Sequence, residues 1–439
     1  MMEAPHGKMK LWIRSACQVV QICTNGERFL KGTHMQQVAV LQQRQLADGT
    51  TDGVGVTVSS DGLIAAVDYD SVIGTNYPPS CFDSIVDASG QCILPGLIDA
   101  HTHPVWAGDR VHEFSMKLAG ASYMDIHKAG GGIYFTVDHT NAATEEELYA
   151  SLKERLLLML QTGTTSTEVK SGYGLDFANE VKLLRVLHRV KAEIPMTLSI
   201  TYCGAHAVPK GSTSDAATED IVNHDLPELR RMVDQGEVSI DNVDIFCEKN
   251  VFSVEQTRRI LEKARSLDFH GNFHAEELSY LGGTEMGVAV GARAISHLEH
   301  ISETAMQRMA DANCVAVLLP TTAFLMRLIP PPVRAMIDAG VPVALGTDFN
   351  PNAYCTSMPI VMHLAAVTFH MSLPEVLIAS TLNAAASLGL SRSHGSLERG
   401  KCADLMLIRA PRWEHLVYQL GSASLIRAVI KNGSIVHGC

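Results

Sequence analysis

The chain has 439 residues, of which 46% are hydrophobic and 19% charged, and its formal net charge is −12. It has no basic tract, so we do not expect nucleic acid as a partner, and no apolar run approaches the roughly 20 residues of a membrane span. The ten cysteines include no Cys-x-x-Cys pair. Because a signal-peptide pattern is also missing, we expect free thiols and a cytoplasmic, cytosolic protein.

Residues 1–92 predict short strands and turns without a long helix. The strand-like runs are apolar and rich in β-branched residues, and they lie at 11–13, 19–22, 54–58 and 63–67. Between them, the stretch 34–53 contains Gln and Gly and predicts a loop. We expect this part of the chain to form the N-terminal part of a small β-domain.

From residue 93 onwards, apolar strand-like runs alternate with helical segments. One helix start is marked by Thr144 with Glu147 three residues later, which is the pattern of a capping box. Eight alternating strand and helix units predict a (β/α)8 TIM barrel, an α/β fold, over residues 93–390. The predicted strands are 93–98, 164–169, 197–202, 243–247, 269–274, 292–297, 314–319 and 341–347.

The last part of the chain returns to strand character. A helix is predicted over 374–388, and an apolar strand-like run follows at 403–408. The stretch 428–436 predicts a hairpin with Asn432 and Gly433 at its turn. Residues 391–439 therefore predict the C-terminal part of the small β-domain, which we expect to be a β-sandwich formed from both chain ends.

Two histidines one residue apart follow the first predicted barrel strand. Side chains at i and i+2 of an extended segment point to the same side, so His101 and His103 aim two imidazoles at one space. Functional residues of TIM barrels lie at the C-terminal strand ends, and His274 and Asp348 stand at the ends of the fifth and eighth runs. Three imidazoles and one carboxylate suit one zinc or iron ion with an open position for water.

Two more candidates stand at the same strand ends. Glu277, three residues past His274, is placed to act as general base or acid, and His297 could orient the nucleophile or polarise a substrate carbonyl. Glu276 is the rival to Glu277, but in an extended segment it points the opposite way. Structural alternatives stay open: a buried, hydrogen-bonded imidazole for His274 and His297, a turn cap for Asp348, and a solvated helix start for the two glutamates.

These positions resemble the amidohydrolase superfamily in its mononuclear form, and the longer motifs around them are similar to the imidazolonepropionase family. The resemblance runs from about residue 88 to the C-terminus. The stretches around Tyr173 and His206 narrow it from the superfamily to the family. The motifs that carry it are 95–103, 122–126, 130–133, 168–175, 204–209, 243–248, 274–278 and 347–351.

The resemblance implies an enzyme of histidine degradation. It would hydrolyse the cyclic amide of 4-imidazolone-5-propanoate to N-formimidoyl-L-glutamate with a metal-activated water, and would be a homodimer as superfamily members often are. The metal ligands carry over onto His101, His103, His274 and Asp348, with one divalent ion per chain, and Glu277 and His297 are the catalytic candidates. Substrate contacts carry over onto Arg110, Tyr173, His206, Glu277, Asn350, Asn352 and Ala353.

One segment departs from the family pattern. The family usually has a small Gly-Ser type segment after Asn-Pro, whereas this chain has Asn352, Ala353 and Tyr354. Backbone contacts with substrate could survive this change, but side-chain roles at 352 and 353 are left open.

The chemistry of the implied substrate gives a separate reason to expect that one of these residues, Arg110, binds it. The propanoate group needs a cation, and the guanidinium of Arg110 can bind a carboxylate with two hydrogen bonds. Arg110 lies seven residues beyond His103, on the loop leaving the first strand. The alternative is an arginine that only faces solvent.

Other interpretations use the same barrel. A nucleobase or heterocycle deaminase of the same superfamily would share the metal and the glutamate, but the motifs at Arg110, Tyr173 and His206 argue against it. If the barrel served only as a metal-free scaffold, we would expect some metal-ligand residues to be replaced, and none of the four is. Lys170 would become a ligand only if the site held two metals.

Overall fold

The computed structural model describes residues 8–120, 131–421 and 424–438. Motif 122–126 and residue 130 of the next motif lie outside these ranges. The described residues form an eight-stranded sheet, a six-stranded sheet, a four-stranded sheet and a two-stranded ribbon.

The eight-stranded sheet is the predicted barrel. All its neighbouring strands are parallel and follow chain order. The barrel closes between its first and eighth strands, where the Ala100 N–H donates to the Leu345 carbonyl at 3.3 Å. The (β/α)8 prediction is therefore confirmed. The strands are Leu97–Asp99, Thr164–Lys170, Thr197–Ala205, Asn242–Cys247, His270–Ala275, Ala294–His297, Val315–Leu318 and Val343–Leu345.

Helices surround this barrel, and several begin at the capping residues that the sequence contains. Thr144 and Ser253 each form a complete capping box, which satisfies backbone N–H groups of the first helical turn. Within the described ranges, the α-helices outside the small sheets are Val111–Leu118, Ile133–Ala142, Glu145–Gln161, Phe177–Glu193, Ser214–Asp220, Leu226–Asp234, Val254–Ser266, Gly283–Ala289, Glu303–Ala312, Pro320–Met326, Val333–Asp338, Met358–Thr368, Leu373–Ala379, Leu382–Ser387 and His415–Tyr418, with a π-helical turn at Ile221–Asp225.

One helix prediction and one loop prediction differ from the structure. The single helix predicted over 374–388 is two helices, because Thr381 between them adopts φ −135° and ψ −94°. The loop predicted over 34–53 is wrong in part. That stretch holds most of the 3-10 turn Gly32–Gln36 and the strands Ala39–Gln42, Arg44–Gln45 and Thr51–Asp52. The last two pair as the two-stranded ribbon.

The first predicted barrel strand is divided between two sheets. Cys92–Pro95 pairs antiparallel with Leu405–Ile408 in the six-stranded sheet, and only Leu97–Asp99 belongs to the barrel. The change occurs at Gly96, where a Cβ atom would lie 2.2 Å from Thr165 Oγ1. A residue without a side chain is therefore required where the chain passes from one sheet to the other.

Both chain ends contribute to the small sheets. The six-stranded sheet has the order Ser434–Gly438, Ile426–Lys431, Leu405–Ile408, Cys92–Pro95, Gln18–Ile22, Ala39–Gln42, and the four-stranded sheet has the order Ile64–Tyr69, Val54–Ser59, Met9–Ala16, Phe82–Asp87. Their shared core contains Leu11, Ile13, Val56, Leu405 and Ile430. The helix Asp70–Asn76 and the 3-10 turn Pro79–Cys81 complete this part. The division at 92/93 and 390/391 stays a proposal.

The described helices include none with the length and apolar character needed to cross a bilayer.

Candidate metal centre and active site

Three buried histidines converge at the C-terminal end of the barrel. His101 and His103 follow the first barrel strand and His274 lies in the fifth. One ring nitrogen from each lies within 4.8 Å of the others. The Nε2 atoms of His101 and His103 are 3.2 Å apart.

Asp348 completes this cluster from the loop after the eighth strand. Its Oδ1 lies 3.5 Å from His101 Nε2 and 3.7 Å from His103 Nε2, and its other oxygen accepts a hydrogen bond from the Thr322 hydroxyl. The backbone N–H of Asp348 donates to the His101 carbonyl at 3.0 Å. Its φ of 49° lies in the left-handed region, which non-glycine residues adopt mainly at turns and functional sites.

The cluster fits one divalent ion. Two nitrogens bound to a tetrahedral zinc at about 2.0–2.1 Å are about 3.3 Å apart, close to the observed His101–His103 separation. Burial lowers the pKa of both imidazoles well below the usual value, and the neutral imidazole is the form that binds metal. The donor set of three nitrogens and one carboxylate suits zinc or iron.

Two residues that the sequence analysis did not identify orient the ligands. Asp244 Oδ1 accepts from His274 Nδ1 at 2.9 Å, and Ser296 Oγ lies 2.8 Å from His101 Nδ1. Such contacts from the far ring nitrogen direct Nε2 towards a metal. The sequence did contain a clue to a role for Asp244, because it is the one charged residue within the apolar run 243–247. The sequence contained no comparable clue to the role of Ser296.

Lys170 forms ion pairs with two buried carboxylates. Its Nζ lies 2.8 Å from Glu168 and 2.7 Å from Asp244, with all three side chains buried. Burial lowers the pKa of Lys170, but Asp244 and Glu168 together raise it above the usual value. Lys170 is therefore a cation that holds Asp244, and it supplies no neutral amine for a bridging ligand.

Glu277 and Glu276 face different environments. Glu277 Oε2 lies 3.5 Å from His297 Nε2, and burial, followed by the charges of Asp348 and Glu299, raises the pKa of Glu277 well above the usual value. Glu276 instead accepts the backbone N–H groups of Gly282 and Gly283 at 2.9 and 2.8 Å. Glu276 thus holds the start of a helix and turns away from Glu277.

His297 lies between Glu277 and the ligand cluster. Its ring stacks on His274 with centroids 5.2 Å apart, and burial, then the neighbouring His274, lowers its pKa to about 3. The neutral ring is therefore the stable form near neutral pH. Its φ of 78°, and that of Leu298 at 71°, are unusual for residues with side chains and mark a constrained segment beside the site.

Tyr173 and His206 form one wall of the same space. The His206 ring stacks on His103 at 4.7 Å, and the Tyr173 ring lies 5.3 Å from His206. His206 Nδ1 lies 2.9 Å from the Gly172 carbonyl. Since a carbonyl only accepts, Nδ1 carries the proton and Nε2 is an acceptor.

Arg110 is held by an ion pair next to this wall. Its Nε and Nη2 donate to Glu113 at 2.9 and 2.7 Å, which occupies one edge of the guanidinium and leaves the Nη1 edge for a second carboxylate. Lys117 lies nearby and contacts Asn352 Oδ1. Neither Glu113 nor Lys117 was identified from the sequence.

Asn350, Asn352 and Ala353 form a tight loop beyond Asp348. The Asn350 side chain accepts the N–H groups of Asn352 at 2.7 Å and Ala353 at 3.1 Å, and donates to the Asp348 carbonyl at 2.7 Å. The backbones of Asn350 and Ala353 also pair with each other. These hydrogen bonds hold the shape of the loop next to Asp348.

Comparisons with known proteins agree with the site. Residues 92–436 match the model of the amidohydrolase family. Proteins named probable imidazolonepropionase from Nematostella vectensis and Mus musculus are 54% and 53% identical to this chain, over 97% and 98% of it and 98% of each relative.

Solved structures of lower identity share the fold. A triazine hydrolase variant superposes with a TM-score of 0.72 at 15% identity, covering 98% of this chain and 95% of that one. E. coli guanine deaminase superposes with a TM-score of 0.69 at 14% identity, covering 97% and 99%. At these identities the likeness shows the fold alone. The site, the family match and the identity to full-length relatives place this chain in the imidazolonepropionase family of amidohydrolases.

Proposed function

We propose that this chain hydrolyses the cyclic amide of 4-imidazolone-5-propanoate to N-formimidoyl-L-glutamate. The main observation behind this proposal is that His101, His103, His274 and Asp348 converge on one space. The chain that holds them is about half identical to proteins named probable imidazolonepropionase over nearly its whole length. The mononuclear donor set supports hydrolysis by an activated water.

The four ligands would hold one divalent ion, zinc or iron. When bound, such an ion supplies Lewis acidity that lowers the pKa of a water molecule and polarises a carbonyl group. The protein's own contribution is to keep the imidazoles of His101 and His103 neutral through burial. It also orients His274 through Asp244 and His101 through Ser296.

Glu277 is suited to move the protons of the reaction. The oxygen of water adds to the ring carbonyl carbon, the bond from that carbon to the adjacent ring nitrogen breaks, and this nitrogen gains a proton. The carbonyl carbon becomes a new carboxylate, and the nitrogen remains in the formimidoyl group. A buried carboxylate with a raised pKa can accept the proton from water and deliver it to the departing nitrogen.

The remaining residues suit the polar groups of the substrate. The Nη1 edge of Arg110 suits the propanoate group, and Nε2 of His206 suits a ring N–H. Tyr173, with its ring against His206, would donate its hydroxyl to a ring oxygen or nitrogen. Asn350, Asn352 and Ala353 would act mainly by shaping the loop beside Asp348.

The test is direct. Enzyme is incubated with imidazolone propanoate, the loss of ultraviolet absorbance is followed, and formimidoylglutamate and ammonia are assayed separately. We expect formimidoylglutamate in step with substrate loss, one zinc or iron ion per chain by elemental analysis, and loss of activity on chelation without unfolding. Ammonia release without ring opening would instead support a deaminase, and two ions per chain would contradict the mononuclear site.

We also propose a cytosolic homodimer. The described cysteines are all free thiols, as expected in a reducing compartment. A surface groove is lined by Phe114, Leu118 and Phe324, which are 47%, 64% and 60% exposed, and apolar surface of this kind favours a protein contact. Sedimentation velocity checks the dimer, and fractionation of cells checks the compartment.

A further inference from the structure

His297 stands between two carboxyl groups. Its Nε2 lies 3.5 Å from Glu277 Oε2, and its Nδ1 lies 3.8 Å from Glu299 Oε2. The side chains of His297 and Glu299 are each 2% exposed. His297, a catalytic candidate from the sequence, therefore has Glu277 on one side and on the other a carboxyl group with no role in the proposed reaction.

The atoms on that side lack partners. His297 Nδ1 and both carboxyl oxygens of Glu299 are buried without a hydrogen bond to the described residues. Buried polar atoms are nearly always paired, and the nearest recorded contact between these two side chains is the 3.8 Å from Nδ1 to Oε2. A shift of less than about 1 Å brings Nδ1 and Oε2 to normal hydrogen-bond distance, and catalytic hydrogen bonds are often long before the substrate binds.

The backbone restricts where these side chains point. His297 and Leu298 both have positive φ, and the Leu298 side chain is fully buried. The backbone N–H of Leu298 donates to the Ala275 carbonyl at 3.2 Å, and that of His300 donates to the Glu276 carbonyl at 2.9 Å. The segment carrying His297 and Glu299 is thus tied to the segment carrying Glu277, so the three side chains are held as one unit.

We propose that Glu299 is a positioning residue for His297, whose carboxyl group pairs with Nδ1 and thereby aims Nε2 at Glu277 and the substrate. This inference rests on the proposed function. Burial, reinforced by Asp348, raises the pKa of Glu299 to about 8, so near neutral pH this buried carboxyl group can serve as hydrogen-bond donor or acceptor. Either role leaves the orientation of the ring the same.

The first measurement is the turnover of imidazolone propanoate by the wild-type enzyme. Its absence would contradict the proposed function before any variant is made. With turnover established, Glu299→Met removes the pairing at similar volume, whereas Glu299→Gln retains a group that can accept or donate. Glu303→Gln changes an exposed glutamate four residues along the chain and is the matched control.

We expect Glu299→Met to lower kcat at least about tenfold with KM changed less than about threefold, because the ring acts during the chemical step. Glu299→Gln should restore kcat to within about fivefold of wild type, and Glu303→Gln should equal wild type. Metal content should be unchanged in all. If the Met variant does not fold, Glu299→Ala replaces it.

A double-mutant cycle separates positioning from a general structural role. In a His297→Gln background, Glu299→Met should change kcat by less than about twofold, since residues that act as one unit are not additive. If the fold-losses in kcat from Glu299→Met and His297→Gln multiply in the double variant, Glu299 acts independently of His297 and the proposal is overturned. Wild-type kcat in Glu299→Met, or equal losses in the Met and Gln variants, would overturn it as well.

Discussion

At the scale of single residues, neighbouring glutamates are distinguished by what they contact. Glu277 faces His297 in a buried space, whereas Glu276 receives backbone N–H groups at the start of the helix Gly283–Ala289. We expect Glu277→Gln to lower kcat by about 10²–10⁴, the range for a positioned acid–base group, with folding and metal content intact. Steady-state kinetics and elemental analysis check this.

Glu276→Gln is the matched control. The amide would place an NH2 group against backbone donors, so we expect the free energy of unfolding to fall by about 1–3 kcal/mol while kcat stays within a few-fold of wild type. If instead the Glu276 variant loses the activity and Glu277→Gln keeps it, both with full metal content, Glu277 is not the proton carrier.

Asp244 orients a metal ligand without touching the metal position. Removing its charge weakens the contact with His274 Nδ1 and leaves Lys170 with one carboxylate partner. We expect Asp244→Asn to weaken metal affinity by about 10–100-fold, as measured by competition with a chelator. Asp268→Asn, at an exposed position, should keep wild-type affinity, and an unchanged affinity in Asp244→Asn would contradict the orienting role.

Among the described residues, Arg110 uses Nε and Nη2 of its guanidinium to bind Glu113 and has no hydrogen-bond partner at Nη1. Arg110→Lys keeps the charge and loses the planar fork, and it also loosens the pairing with Glu113. We expect KM for imidazolone propanoate to rise more than kcat falls, because Arg110 would bind the propanoate group equally well in the ground state and in the transition state. Unchanged kinetics in both Arg110→Lys and Arg110→Ala would assign the residue to the solvent-facing alternative.

At the scale of elements, Gly96 is the point where one continuous apolar run becomes two strands of different sheets. A Cβ atom there would overlap the side chain of Thr165. We expect Gly96→Ala to lower the free energy of unfolding by about 1–3 kcal/mol, the usual range for overpacking. Gly74→Ala, in a helix where the nearest atom to the new Cβ is 3.9 Å away, should stabilise the protein slightly. Urea unfolding compares the two, and equal effects would contradict the steric argument.

At the scale of the whole molecule, a buried carboxyl group with a raised pKa makes stability depend on pH. Glu299 has a pKa of about 8 in the folded protein and about 4.3 when unfolded. Between these values the folded state binds more protons, so this contribution to stability is present at low pH and is lost as pH rises through about 8.

Glu299→Gln should therefore gain stability relative to wild type as pH rises from 5 to 8, by up to about 1.4 kcal/mol per pH unit. Urea unfolding at pH 5, 6, 7 and 8 measures the difference. The exposed variant Glu303→Gln should show no such trend, and a constant difference between Glu299→Gln and wild type would contradict the raised pKa.

The sequence by itself determined the fold class and the ligand candidates of this protein. Alternation of apolar runs with capped helices is a local property, so the barrel and the helix start at Thr144 follow from it. The spacing of His101 and His103, with His274 and Asp348 at later strand ends, follows from strand periodicity and barrel geometry.

Only the tertiary structure decided which polar groups meet. Asp244 pairs with His274 and Glu113 with Arg110, and the Glu299 carboxyl group lies 3.8 Å from His297 Nδ1. These arrangements depend on φ angles and on strand register, which hydrophobic periodicity does not record. Likewise, Cys92–Pro95 leaves the barrel because its partner strand lies more than 300 residues away at Leu405–Ile408, and hydrophobic periodicity is the same for a strand in either sheet.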